Sequence, residues 1–159
     1  MAPRIRRVVT GHDAAGQSIV EIDEVATNIV SPRPGHASTV IWTTMRAPYD
    51  NTETGDQGLR DVAECAEQGA IFRVVEYGPG VSPRMHRTLT IDYAVVMSGE
   101  IFMVLDGGKE VHLKAGDVLV QRGAVHDWIN RGEVPCVIAF VLMAAKPVET
   151  GGKVLGALG

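Results

Sequence analysis

His86, Thr88, Asp92 and His126 are the side chains of this chain whose types and spacing could do chemistry. Imidazoles and carboxylates move protons and donate electron pairs. His86 and Thr88 are two residues apart in an extended stretch, so they face the same side. Asp92 begins the next strand, with Ala94 and Val96 on its face, and the short link allows it to turn back toward His86. His126 begins a later strand, just after Gly123. A barrel could gather all four at one level.

The elements that must position them are strands. A Gly78-Pro79-Gly80 turn opens the central stretch and Ser98-Gly99 closes it. From residue 70 onward the pattern is regular. Strands are predicted over 70–77, 84–88, 92–97, 100–105, 110–114, 118–121, 126–130 and 136–144, separated by turns such as Asp106-Gly107-Gly108-Lys109. Before that, 4–10 and 18–25 read as a hairpin, 27–36 as a proline-rich loop and 38–44 as a strand. Residues 47–69 are irregular, with helical turns expected over 59–66, and a connection of that length suits a lid, a pocket wall or a surface insertion. Many short strands with almost no helix indicate an all-β sandwich or barrel. One domain is expected: strands and loop at 1–69 pack on a barrel core at 70–145, followed by a flexible glycine-rich tail at 146–159.

Composition narrows the function classes. Hydrophobic residues are 45% and charged residues 21% of the 159, with a net charge of −4. That balance suits a soluble globular chain and gives no reason to expect nucleic-acid or membrane partners. Arg4, Arg6 and Arg7 are read as a solvated face or sheet edge. No apolar run approaches the roughly 20 residues of a membrane span. Two cysteines, Cys65 and Cys136, without a secretory leader favour reduced thiols and a cytoplasmic location.

Residues 80–130 resemble the cupin superfamily. Gly80, His86, Asp92 and Gly99 fall on the spacing of its first motif, and Gly116, Gly123, His126 and Asn130 on its second, with one residue fewer after Gly116. There are three departures. Thr88 stands at the second histidine position, Asp92 replaces the usual glutamate, and Gln121 stands where proline is usual. The resemblance implies a double-stranded β-helix, the cupin jelly-roll barrel, here with an N-terminal β-hairpin. It implies one divalent metal ion (Fe, Zn, Mn or Ni) held by His86, Asp92 and His126, a two-histidine, one-carboxylate set. The Thr88 hydroxyl could bond a metal-bound water. The implied function is a metal-dependent enzyme on a small organic molecule, favoured as a lyase or isomerase with the metal as Lewis acid. An Fe(II) dioxygenase and a non-catalytic small-molecule-binding cupin are the alternatives. If Asp92 is not a ligand, it would move the proton. Cupins of this size commonly pair, so a homodimer is expected.

Thr88, Trp42, Phe102, Met97 and Trp128 are the expected substrate-pocket residues. Strand alternation turns Tyr93 away from the site and Trp128 toward it. Arg73, Arg84 and Glu76 are expected on the outer face. His12 and His112 are expected to be solvated, whereas His36 could reach the barrel mouth from the loop before its strand.

Overall fold

The computed structural model describes residues 4–62 and 68–159, and it is built almost wholly from β-structure. β1 (Arg6–His12) and β2 (Ser18–Val25) form the N-terminal hairpin, with a bulge at Val9/Thr10. The main sheet contains β3 (Ile29–Arg33), β4 (His36–Thr44), β5 (Ala70–Tyr77), β6 (Thr90–Ser98), β9 (Val118–Arg122) and β11 (Cys136–Ala144). Its order is β3-β4-β5-β11-β6-β9. A three-stranded sheet opposes it, with β7 (Glu100–Leu105) between β10 (His126–Ile129) and β8 (Glu110–Lys114). Among the described residues these strands pair antiparallel, as expected of a jelly roll.

The core follows from alternation. Ile71 and Val75 of β5, Ala94 and Val96 of β6, Ile101 and Met103 of β7, Trp128 of β10 and Ile138 and Phe140 of β11 point into one buried cluster. The glycine after β6 is required by its surroundings. Gly99 has φ 74°, and a Cβ there would lie 2.5 Å from the Pro135 carbonyl oxygen, so no other residue fits without displacing backbone. Cys136 is fully buried, a free thiol whose pKa burial pushes up to about 11, so it is not a nucleophile. Cys65, and most of the helix expected over 59–66, lie outside the described residues. The helical structure nearby is a single 3-10 turn at Gln57–Leu59, earlier than expected and capped by Asp56.

Three other expectations change. Residues 29–33 form a strand despite Pro32, because β3 is an edge strand and one of its sides needs no ladder donor. Residues 84–88 do not form a strand: only His86 and Arg87 make single bridges, one on each side. The tail carries a small hairpin of β12 (Val148–Thr150) and β13 (Lys153–Leu155), and Leu158 pairs with Arg87 through bonds of 2.8 and 3.0 Å. No described helix is long and apolar enough to cross a membrane.

Arg7 also departs from its reading. Its side chain is 2% exposed rather than solvated, and its guanidinium bonds Asp56, Glu24 and the Ile41 carbonyl. Arg6, by contrast, is exposed and forks onto Asp23 at 2.7 and 2.8 Å.

Candidate functional site

His86 and His126 meet because their backbones pair. His86 donates to the His126 carbonyl at 3.0 Å, and His126 donates back at 2.9 Å. The two rings stand 4.3 Å apart between centroids. Each ring then bonds its own chain two residues back. His86 Nδ1 lies 2.9 Å from the Arg84 carbonyl oxygen, and His126 Nδ1 lies 3.1 Å from that of Ala124. A carbonyl oxygen only accepts, so each imidazole in its neutral form keeps its proton on Nδ1. Nε2 is thereby left as an open electron-pair donor on both rings.

Both rings line a cavity of about 50 Å³ with Thr88 and Asp92. Trp128 and Phe140 form part of its apolar wall, and His36, Arg73 and Tyr77 contribute polar groups. Thr88 and Trp128 are therefore where the sequence places them. Trp42, Phe102 and Met97 are not among the residues lining this cavity, for reasons of strand face. Met97 shares the outward face of β6 with Tyr93 and Val95 and is 52% exposed. Phe102 alternates with the buried Ile101 and Met103, so it stacks on His112 outside the barrel, beneath Arg131. Trp42 is shifted by the irregularity between Val40 and Trp42 and pairs with Phe72, which faces opposite to Arg73.

Arg73 corrects the opposite error. It was expected on the outer face, yet it alternates with Val75 and Tyr77 and lines the cavity. His36 reaches the same space from the first residue of β4 and packs edge-on against Tyr77 at 5.4 Å. Arg84 and Glu76 stay half-buried and outside the cavity lining. His12 and His112 are exposed, as expected.

Asp92 is 4% exposed and pairs in register with Gln121 of β9, whose Nε2 donates to its Oδ2 at 3.0 Å. The Thr88 and Thr90 hydroxyls bond each other at 2.7 Å. The three departures from the cupin motifs thus fall in two hydrogen-bonded pairs, Asp92 with Gln121 and Thr88 with Thr90, and Asp92 Oδ1 is buried without a hydrogen-bond partner. Burial raises the Asp92 pKa, against the opposing pull of Thr90, the charges of His86 and Arg73, and Gln121. Among the described residues, no three His, Cys, Asp or Glu side chains are grouped to hold a metal ion. His86, Asp92 and His126, the expected ligands, all line the one cavity, where Asp92 Oδ2 accepts from Gln121 and the two imidazoles turn Nδ1 to backbone carbonyls.

Burial, reinforced by His86, lowers the His126 pKa to about 4. This has a consequence for stability. Between the ordinary 6.5 and about 4, the unfolded chain binds a proton that the folded chain refuses. Acidification through that window is therefore expected to cost the metal-free protein up to about 3 kcal/mol. Asp92 acts in the opposite sense, because its folded form holds a proton more readily. Urea melts of chelator-treated wild type and His126→Gln from pH 7 to 4 check the assignment: the variant's stability should fall less steeply. Equal slopes would remove His126 as the cause.

The cupin domain model matches residues 73–143, the stretch that carries the site. Among curated relatives, the Phomopsin biosynthesis cluster protein D of Diaporthe leptostromiformis is 36% identical over 168 residues, covering 98% of this chain and 88% of its own. The cupin-domain-containing oxidoreductase fogC of Aspergillus ruber is 32% identical over 157 residues, covering 94% and 77%. Among solved structures, KdgF from Halomonas sp. is similar over 73% of this chain and 87% of its own, at 15% identity and a TM-score of 0.48. By its relatives and by the cupin match across its barrel, this chain belongs to the cupin family.

Proposed function

We propose that this cupin is an enzyme that moves a proton at a carbon of a small organic substrate, as a lyase or isomerase. Asp92 is the proton-moving group, and His86 and His126 hold a divalent metal. The observation that carries the reading is the division of labour in one cavity. Two imidazoles present open Nε2 atoms, while the neighbouring carboxyl is bonded to Gln121 rather than grouped with them. A metal held there would supply Lewis acidity toward a carbonyl or carboxylate oxygen.

The chain's own residues do the rest. Asp92 takes a proton from the carbon beside that carbonyl and returns it to the same or an adjacent carbon. Burial raises its pKa, which strengthens it as a base, and the Gln121 amide fixes one of its oxygens. The apolar faces of Trp128 and Phe140 limit water around the carboxyl. Arg73 contributes positive charge to the cavity wall, which favours a substrate that is, or becomes, anionic.

Next to this cavity lies a second one of about 200 Å³, lined by Val30, Pro32, Ser38, Val40 and Val62. His36 and Arg73 line both. We assign the second cavity to the apolar body of the substrate. Val40→Trp should raise KM about tenfold while kcat stays within about twofold, because it removes binding space and not the reacting groups. Equal kinetics in the variant would place the substrate elsewhere.

The test of the function is hydrogen–deuterium exchange by NMR across a panel of β-keto acids, 2-hydroxy acids and enolisable ketones, together with elemental analysis. Stoichiometric metal and carbon-bound deuterium with at least one compound are expected. A second reading rests on the relatives: fogC of Aspergillus ruber and srdD of Neurospora crassa, 31% identical, are named oxidoreductases. Oxygen uptake without deuterium exchange on the same panel would replace proton transfer with that chemistry.

A further inference from the structure

His86 lies in a segment that no sheet supports along its length. Residues 81–85 have no regular structure, and the segment touches strand-like partners only at His86 and Arg87. His126, by comparison, opens β10, which pairs along its length with β7. The reciprocal bonds with His126 fix His86 itself, but they do not reach residue 84, whose carbonyl oxygen meets the His86 ring.

Asp127 reaches that residue. Its side chain belongs to a residue only 4% exposed, and its Oδ1 accepts two backbone N–H groups: that of Arg84 at 2.9 Å and that of Trp128 at 2.7 Å. Residue 84 continues the connection through its Cα, since its carbonyl oxygen, in the next peptide group, receives the His86 Nδ1 proton. We infer that Asp127 is a positioning residue for His86, acting through the Arg84 backbone to fix the proton on Nδ1 and hold Nε2 open toward the cavity. The inference rests on the reading above only in taking Nε2 of His86 as the working atom.

The physical basis is the accounting of buried polar groups. A carboxylate accepting two N–H bonds inside the fold holds both donors to one point, because leaving either unpaired costs about 1–3 kcal/mol. One of those donors belongs to β10, which is rigid through its pairing with β7, and the other to the loosely supported segment. Asp127 therefore transfers the position of β10 to residue 84. On the opposite side, the reciprocal bonds between Arg87 and Leu158 fix where the segment leaves the site. The ring between those two anchors has one carbonyl within reach of Nδ1, and so one neutral tautomer.

Imidazole ¹⁵N chemical shifts of the full chain, after chelator treatment and near pH 7.5, test this directly. In the wild type, both His86 and His126 should show a protonated Nδ1 and a bare Nε2. Asp127→Ala should convert His86 to a mixture of tautomers and leave His126 unchanged. Asp127→Asn, which keeps an acceptor oxygen, should restore the wild-type pattern. Because Asp127→Ala could fail to fold, Arg84→Pro offers an independent route: it deletes the N–H itself, whereas Arg84→Ala keeps it. Arg84→Pro should therefore shift His86, and Arg84→Ala should not. Titration with zinc should show affinity about tenfold or more weaker in Asp127→Ala and Arg84→Pro, and within about twofold of wild type in Asp127→Asn and Arg84→Ala. An unchanged His86 pattern in both disruptive variants would overturn the inference. The expected tautomer shifts in a protein whose wild type takes up no zinc would uphold the positioning role and discard the metal-holding reading.

Discussion

Asp92→Asn is expected to abolish carbon–deuterium exchange, slowing it by at least about a hundredfold, while the fold and the metal content survive. Removing a positioned general base costs about 10²–10⁴ in rate. Asparagine is nearly isosteric, and its carbonyl can still accept from Gln121, so that bond is kept. What it loses is the ability to take a proton. His86→Gln and His126→Gln should also remove activity, but by a different route: metal content falls, and the double variant is no worse than either single one, because the pair acts as a unit. Measured together, exchange rates and metal stoichiometry separate the two roles. Full exchange by Asp92→Asn, with metal in place, would move the base elsewhere and return Asp92 to a structural part. Loss of metal in Asp92→Asn would instead make the carboxylate a ligand after all.

The largest effect on stability is expected at Arg7. Its guanidinium joins four parts of the chain: β1 itself, Glu24 at 2.7 Å, Asp56 that caps the Gln57–Leu59 turn, and the Ile41 carbonyl of β4 at 3.3 Å. The site is built around the side chain. A Cβ on Gly58 would lie 2.1 Å from Arg7 Nη1 and 2.7 Å from the Ile41 carbonyl oxygen. Breaking a buried ion pair costs about 3–5 kcal/mol. Glu24 remains 53% exposed and recovers hydration. The loss for Arg7→Ala should thus lie near the lower end, about 3 kcal/mol, or roughly 10 °C in Tm for a chain of this size. Arg7→Lys should recover less than half, because one ammonium cannot reproduce the fork that meets Asp56 with two nitrogens. Calorimetry of the three proteins decides it. A shift below about 2 °C for Arg7→Ala would show that the hairpin is held by its apolar contacts instead.

Legibility in the sequence followed the range of the interaction. The barrel strands from residue 70 onward were readable because alternation and turn glycines are local properties. The predicted spans 70–77, 100–105, 110–114 and 136–144 coincide with β5, β7, β8 and β11. Segment 84–88 was misread for the same reason. Its residue types suit a strand, but its partners are a single residue of β10 on one side and Leu158 on the other. Arg73 was misplaced because a charged residue on a strand normally faces water; only the alternation shared with Val75 and Tyr77 could have put it inside. Arg7 was missed because its carboxylate partners lie 17 and 49 positions away.

By itself the sequence determined the family, the barrel and the meeting of two histidines, since motif spacing encodes strand length and strand length sets which residues share a level. It also marked Thr88, Asp92 and Gln121 as unusual, but as three separate substitutions. Only the tertiary structure decided how each is partnered. β6 and β9 are neighbours in register, which brings Asp92 to Gln121, while the Thr88 hydroxyl pairs with that of Thr90. The partner that the buried carboxylate takes comes from a strand 29 positions away. The tautomers of His86 and His126 were decided in the same way, by two backbone carbonyls whose positions depend on how the chain packs around them.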